Sequence, residues 1–277
     1  VSFDTDGFTL NTSDAGYNSS SHTYCAWCFK AGTSFTNDAS ATSVGNTDSS
    51  GTASSTAGFS ISKYVGAGSS LNIVVKHGLS AVPAVMITRN RDDANSWGVY
   101  HHKNTSAPET DYLRLDTTNA TTDNAEIWND TAPTSAVFTA GDHSSSNRAG
   151  DDFISYFWNE VQGFSKFGSY VGNGNADGTF VYTGFRPAWI IIKNSSSGST
   201  SWLMYDNKRP GYNEDNAYLL ASSTDSEASD KDIDILSNGF KIRINNSENN
   251  TSGDTYVYMA FAEQPFVNSS GVPNNAR

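Results

Sequence analysis

Basic residues are scarce in this chain. Lysine and arginine number 17 against 29 aspartates and glutamates, a formal net charge of −12. Duplex binding depends on neutralising phosphates with Lys and Arg, so a nucleic-acid partner is excluded. An anionic membrane surface is disfavoured for the same reason. Long apolar runs are missing as well: nothing approaches the roughly 20 residues that span a bilayer, and there is no signal-peptide core. The first residue is Val, which reads as an excerpt or a processed chain whose original targeting is not legible. The hydrophobic fraction of 36% and the charged fraction of 17% fall below the usual values of roughly 45–50% and 25%. Ser, Thr, Asn, Gly and Asp take their place, as in an all-β protein with many polar turns. Aromatics at 12% supply core material and exclude wholesale disorder.

Cysteine is limited to Cys25-x-x-Cys28. On an extended strand their Cα atoms stand roughly 10 Å apart, beyond the ~7 Å reach of a disulfide, and no second pair completes a zinc site. Two buried or half-buried thiols, not linked to each other, are expected. No ten-residue stretch carries helical spacing with caps. Strand signals are plentiful. Cys25, Trp27 and Phe29 alternate onto one face, as do Ile154, Tyr156 and Trp158, and again Val257, Met259 and Phe261; each set reads as a half-buried strand. Ile73-Val74-Val75, Val85-Met86-Ile87 and Ile190-Ile191-Ile192 are short β-branched runs that suit buried sandwich strands.

The chain repeats itself. Gly58-Phe59-Ser60, Tyr64-Val65-Gly66-x-Gly68, His77-Gly78-Leu79, Pro83-Ala84, Arg89-Asn90, Ser96-Trp97 and Tyr100 recur as Gly163-Phe164-Ser165, Tyr170-Val171-Gly172-x-Gly174, Thr183-Gly184-Phe185, Pro187-Ala188, Lys193-Asn194, Ser201-Trp202 and Tyr205, at an offset of 104 to 106. A partial third copy opens the chain: Gly7-Phe8 and Thr23-Tyr24 match Gly239-Phe240 and Thr255-Tyr256 at an offset of 232. The expected organisation is a partial repeat over 1–30 and a low-complexity linker or loop over 31–57. Two β-sandwich repeats follow over 58–162 and 163–266, then a tail over 267–277. The fold class is all-β, two tandem related antiparallel β-sandwiches. Repetition also sorts residues by role. A residue kept in both copies serves the fold, and one present in a single copy is available to a ligand.

Few motifs survive weighing as chemistry. Gly66-x-Gly68 and Gly172-x-Gly174 follow strands, but a dinucleotide fingerprint needs a third Gly and a helix start. Leu71 and Asp177 stand at that third position, so both read as turns. Asp230, Asp232 and Asp234 place three carboxylates at strand spacing, a weak calcium candidate against a solvated face. The histidines show no metal spacing, and Glu160 and Glu263 recur after equivalent strands as structural residues. No catalytic constellation or cofactor is expected.

Single-copy residues make a binding case. Trp128, Trp189 and Tyr212 have no counterpart, nor does the loop containing Lys208, Arg209 and Tyr212. Aromatic faces and charged loop side chains suit sugar recognition, and Arg186 is added to this candidate set. A core role competes for Trp189, which leads into the Ile190–Ile192 run. The repeated Trp97 and Trp202, with the aromatics at 29, 158 and 261, are expected in the core.

The segments 23–30 (TYCAWCFK), 128–135 (WNDTAPTS), 163–170 (GFSKFGSY), 182–189 (YTGFRPAW) and 258–266 (YMAFAEQPF) resemble a family of repeated domains. That family is common in predicted structural proteins of marine and cyanobacterial tailed phages. The resemblance covers nearly the whole chain from about residue 4, and the closing Asn275-Ala276-Arg277 is similar to the end of such proteins. It implies a virion appendage such as a tail fibre, located on the virion and so extracellular, and it carries over no catalytic residues. Expected partners are other virion proteins or copies of itself in a homo-oligomer such as a trimer, and a host-surface polysaccharide. The competing classes are a carbohydrate-binding module of a secreted protein and a polysaccharide-degrading tailspike domain.

Overall fold

The computed structural model describes residues 1–263 apart from Asp6, Lys30 and 210–212. The expected tail over 267–277 lies outside the described residues. The chain divides into two compact units, Val1–Lys30 and the remainder from Ala31 onward.

The first unit holds a short antiparallel pair, β1 (Ser2–Phe3) and β2 (Phe8–Thr9), with Ser2 opposite Thr9 and Phe3 opposite Phe8. Residues 23–29 are not a strand, contrary to their alternation. Their counterpart, 255–261, is a central strand with a neighbour on each side. Among its described residues the first unit has only β1 and β2, so alternation meets no ladder. Cys25 and Cys28 form no disulfide and are exposed, not buried as expected. Phe29 is exposed too.

The second unit begins with β3 (Thr33–Asn37), the one-turn helix α1 (Ala39–Thr42) and β4 (Ser49–Ser54). The first repeat follows: β5 (Phe59–Val65), β6 (Ile73–Lys76), β7 (Val85–Asn90), β8 (Gly98–His101), β9 (Asp111–Arg114), β10 (Thr122–Asp123), the helical turn α2 (Ala125–Trp128), β11 (Val137–Ala140) and β12 (Asp152–Trp158). The second contains β13 (Ser165–Val171), β14 (Phe180–Tyr182), β15 (Trp189–Asn194), β16 (Leu203–Asp206), β17 (Leu219–Leu220), β18 (Ile233–Leu236), β19 (Gly239–Ile242) and β20 (Thr255–Phe261). The molecule is all-β, built from antiparallel sheets. In the first repeat β12 lies between β5 and β7; in the second β20 lies between β13 and β15. β6–β11 and β14–β19–β18 form separate small sheets.

Residues 31–57 are not a linker. β3 and β4 extend the first repeat's large sheet beyond β5. Gly51 makes this possible, because a Cβ there would sit 1.8 Å from the Ile61 carbonyl oxygen. Asp38 caps α1 by accepting the Ala41 N–H at 3.0 Å, and Asp48 accepts the Ala39 N–H at 2.8 Å. Ser- and Thr-rich composition is compatible with strands once neighbours supply the ladder.

Among the described residues, three apolar cores hold the second unit. One contains Phe138, Phe153 and Phe157 with Tyr64, between the first repeat's large and small sheets. Another contains Phe240, Tyr256 and Tyr258 in the second repeat. The third joins the repeats: Phe59, Val85 and Trp158 cluster with Phe167, Trp202, Val257 and Phe261. Tyr256, Tyr258 and Ala260 therefore face one core and Val257, Met259 and Phe261 another, so β20 is buried on both faces where alternation alone suggested one. Polar contacts cross the same junction. The buried Lys193 Nζ donates to the Thr118 carbonyl at 3.3 Å, and the Trp202 Nε1–H donates to the Arg114 carbonyl at 2.7 Å. Trp202 is core, as its repetition implied. Trp97 is only half-buried, stacked on Tyr156 with the Arg89 guanidinium 5.5 Å from its ring.

Two asparagines explain the repeated turns. Asn147 Oδ1 accepts the Ala67 and Gly68 N–H groups at 2.7 and 3.0 Å, and its Nδ2 donates to the Gly68 and Leu71 carbonyls. Asn250 treats the second Gly-x-Gly likewise, accepting from Asn173 N–H and donating to the Asn175 carbonyl. Gly68 and Gly174 take φ of +64° and +65°, the left-handed region open to glycine. These motifs are clamped turns. Substituting Asn147 by Ala strands the buried Gly68 backbone groups, and Asn250 by Ala removes half-buried bonds of the same kind, so each is expected to lower stability by about 1–3 kcal/mol in urea unfolding. Equal stability with the parent would show that the clamps are ornamental.

Candidate ligand site

The described residues nominated from the sequence do not assemble into one site. Trp128 is fully buried and its Nε1–H donates to the Asp111 carbonyl at 3.1 Å, so it presents no face to a ligand. Being single-copy, it fills a core feature that only the first repeat has. Trp189 is half-buried, its ring 5.7 Å from that of Phe261. Arg186 is half-buried. It assists Lys208, whose hydrogen bond is the main cause, in holding the Glu263 carboxyl below its ordinary range. Lys208 is exposed and paired to Glu263 at 2.5 Å. Arg209 is buried: its Nε meets Asp206 at 2.8 Å, and its terminal nitrogens reach Glu227 and the Met204 carbonyl. Its donors are committed within the fold. Tyr212 lies outside the described residues. The two described cations of this loop, Lys208 and Arg209, are thus engaged within the fold.

The carboxylate series fails similarly. β18 starts only at Ile233, so Asp230 and Asp232 precede it and no single strand face carries all three. Asp230 accepts from the Tyr218 hydroxyl at 2.6 Å and Lys231 Nζ at 3.0 Å, while Asp234 lies 3.4 Å from Arg243 Nε. Among the described residues no three His, Cys, Asp or Glu side chains are grouped to hold a metal.

A concave site, open to solvent and lined by polar and apolar surface, exists in the first repeat. A cavity of about 510 Å³ is lined by Gly68, Ser69, Glu126, Asp142, His143 and Ser144, with Asn147, Arg148 and Ala149 completing the wall. That volume falls within the roughly 300–1,000 Å³ of small-molecule sites. Its walls are the clamped turn at Gly68, the helical turn α2, and the loop 141–151. α2 is capped by Asn124, whose side chain accepts the Glu126 N–H at 2.8 Å. The loop docks on α2 through Gly141, where a Cβ would lie 2.4 Å from the Glu126 carbonyl oxygen, and through the Ser146 hydroxyl, which donates to the Ile127 carbonyl. Asn90 holds the loop from the sheet, donating to Asp151 at 2.7 Å and to the Ser144 carbonyl at 3.3 Å. Asn194 makes the matching bonds to Asp254 and the Ser247 carbonyl in the second repeat.

Within this rigid frame the lining side chains differ in engagement. His143 Nδ1 accepts the Ser145 N–H at 3.1 Å, which places the ring proton on Nε2. The Nε2 atoms of His77, His101 and His102 each meet a backbone carbonyl; that of His143 has no such partner among the described residues. Burial lowers the His143 pKa, assisted by Arg114 and opposed by Glu126 and Asp142, so the ring is a neutral donor at physiological pH. Arg148 is ion-paired to Asp93, and its Nε lies 3.7 Å from Asp151. The side chains of Glu126 and Asp142 are exposed and make no hydrogen bond or ion pair with a described residue.

The lining residues escape the repeat pattern because its matched motifs end at Tyr100 and Tyr205, well before 141–151. Aligned at an offset of 103, Asn147, Gly150 and Asp151 are kept as Asn250, Gly253 and Asp254, whereas Asp142, His143 and Arg148 correspond to Asn245, Asn246 and Thr251. The structural clamps are duplicated; the titratable lining is not.

A family described as a domain of unknown function (DUF7483) matches residues 1–265. The chain belongs to this family. The match runs through the partial repeat and both complete ones, so the family's unit contains the cavity and the inter-repeat core together. No curated protein and no solved structure matches the chain.

Proposed function

We propose that this protein is a non-enzymatic structural and adhesive module of a virion appendage, such as a tail fibre, which engages a host-surface glycan. The observation that carries the adhesive half is the cavity lined by Glu126, Asp142 and His143, where the single-copy Asp142 and His143 sit in a frame whose clamps are duplicated. Donors and acceptors mixed in one concave site suit a polyhydroxylated ligand. Back-to-back repeats sharing a core support the structural half, since such a body gives a stiff platform for a binding site. A single sugar site binds weakly, and a fibre would present several copies at once.

A glycan array probed with the multivalently displayed protein tests the reading. Binding is expected to fall at least about tenfold in a Glu126→Gln/His143→Ala double variant and to be unchanged in Lys208→Ala. Release of reducing ends from the bound glycan, abolished by Glu126→Gln or Asp142→Asn, would instead make these carboxylates catalytic and end the non-enzymatic reading.

A further inference from the structure

We infer that the cavity in the first repeat selects sugars that carry no acidic group, and that a sugar bearing a free ammonium group is its preferred ligand. The inference rests on the adhesive reading above and names the ligand class for the same site.

The selection follows from local charge. Glu126 and Asp142 line the cavity with no cation paired to either among the described residues. Arg148 in the wall is already matched by Asp93 and Asp151, and Arg114, which acts on His143 from β9, sets one guanidinium against the two carboxylates. His143 adds no positive charge near neutrality, because burial disfavours its protonated form. The site therefore has negative charge to spare, on a chain whose net charge is −12. A uronate or sulfate placed there would face two carboxylates against the single Arg114 guanidinium, whereas an ammonium would be drawn in. The Nε2–H of His143 and the hydroxyls of Ser69 and Ser144 supply further polar contacts for ring hydroxyls. This mixture suits a sugar better than a bare lysine side chain, which needs acceptors only. The fold does not require the Asp142 charge: the second repeat has Asn245, Asn246 and Thr251 at the places of Asp142, His143 and Arg148.

The test uses the full chain, displayed multivalently, against oligosaccharides matched in length. One set carries free amino groups, one carries the same sugars N-acetylated, one is neutral hexose, and two are uronate and sulfated. The expected order is amino first, then N-acetylated and neutral, with acidic sugars unbound. The preference for the amino set over its N-acetylated partner should be at least about tenfold at low salt and shrink as salt screens it. Glu126→Gln/Asp142→Asn should erase that preference, while Asp225→Asn, a charge removed from the exposed surface elsewhere, should leave it intact. Unchanged denaturation midpoints verify that the variants fold. Acidic oligosaccharides bound by the parent and lost in the double variant would overturn the inference yet leave the adhesive reading standing. Equal loss with Asp225→Asn, or a lysine-rich peptide bound as tightly as the amino sugar, would overturn it by showing unspecific charge attraction. Absence of glycan binding, or binding indifferent to Glu126 and Asp142, would remove both the inference and this cavity's role.

Discussion

Trp128→Ala is expected to lower the folding free energy by about 3–5 kcal/mol, the usual cost of truncating a buried Trp. The ring is fully buried in the first repeat's core and packs edge-on to Tyr100 with centroids 6.2 Å apart. Its Nε1–H also satisfies the Asp111 carbonyl, which truncation would leave half-buried without that donor. Because Trp128 closes the helical turn that carries Glu126, the same variant should weaken ligand binding at the cavity. Urea unfolding with the array measurement separates the two effects. A stability within about 0.5 kcal/mol of the parent, typical of surface substitutions, would mean that Trp128 is not core.

Asp215→Asn is expected to stabilise the protein above neutral pH and to do little in acid. Asp215 is 1% exposed, and its carboxyl titrates at about 7 in place of 3.8. Burial is the main cause; Arg209 opposes the shift, Asp206 adds to it, the Ala217 N–H opposes it, and Glu227 adds a further rise. Since the folded form holds its proton more tightly than the unfolded one, this group's contribution is fully present below about pH 4. It is lost as pH rises through about 7. Each pKa unit is worth about 1.4 kcal/mol, so the loss reaches at most about 4 kcal/mol. Subtracting parent from variant stability at each pH isolates Asp215 from the carboxyls of Asp206 and Asp230, whose pKa values are lowered and act in the opposite sense. A flat difference between pH 4 and 8 would show that Asp215 is ionised in the fold.

Legibility in the sequence followed how local the cause was. The repeats exposed the scaffold well: Trp202 and Phe261 lie in the core, and the Gly-x-Gly turns are turns because glycine's left-handed φ is a local property. Trp128 and Arg209 misled because single-copy status was equated with availability. A single-copy residue can equally fill a single-copy core feature, as Trp128 does, or anchor a loop, as Arg209 does through Asp206. Residues 31–57 misled through composition, since Ser and Thr carry little apolar periodicity although they fit a pleat.

The amino-acid sequence by itself determined the all-β class, the duplication and many of the strands, because period-two patterning and turn residues act over a few positions. It did not determine which face is deeper, since β12 buries Phe153 and Phe157 more fully than Ile154 and Tyr156. Tertiary structure alone decided that the two large sheets share a core, burying β20 on both faces, since no local pattern encodes what covers the second face of a sheet. It also decided that 23–29 forms no strand, because a ladder needs neighbours that pattern cannot supply. The cavity belongs to the same class. Its walls come from residues 68–69, α2 and 141–149, distant in sequence, and they meet only because Asn147 and Asn90 tie one loop to a turn and a strand roughly 60 to 80 positions away.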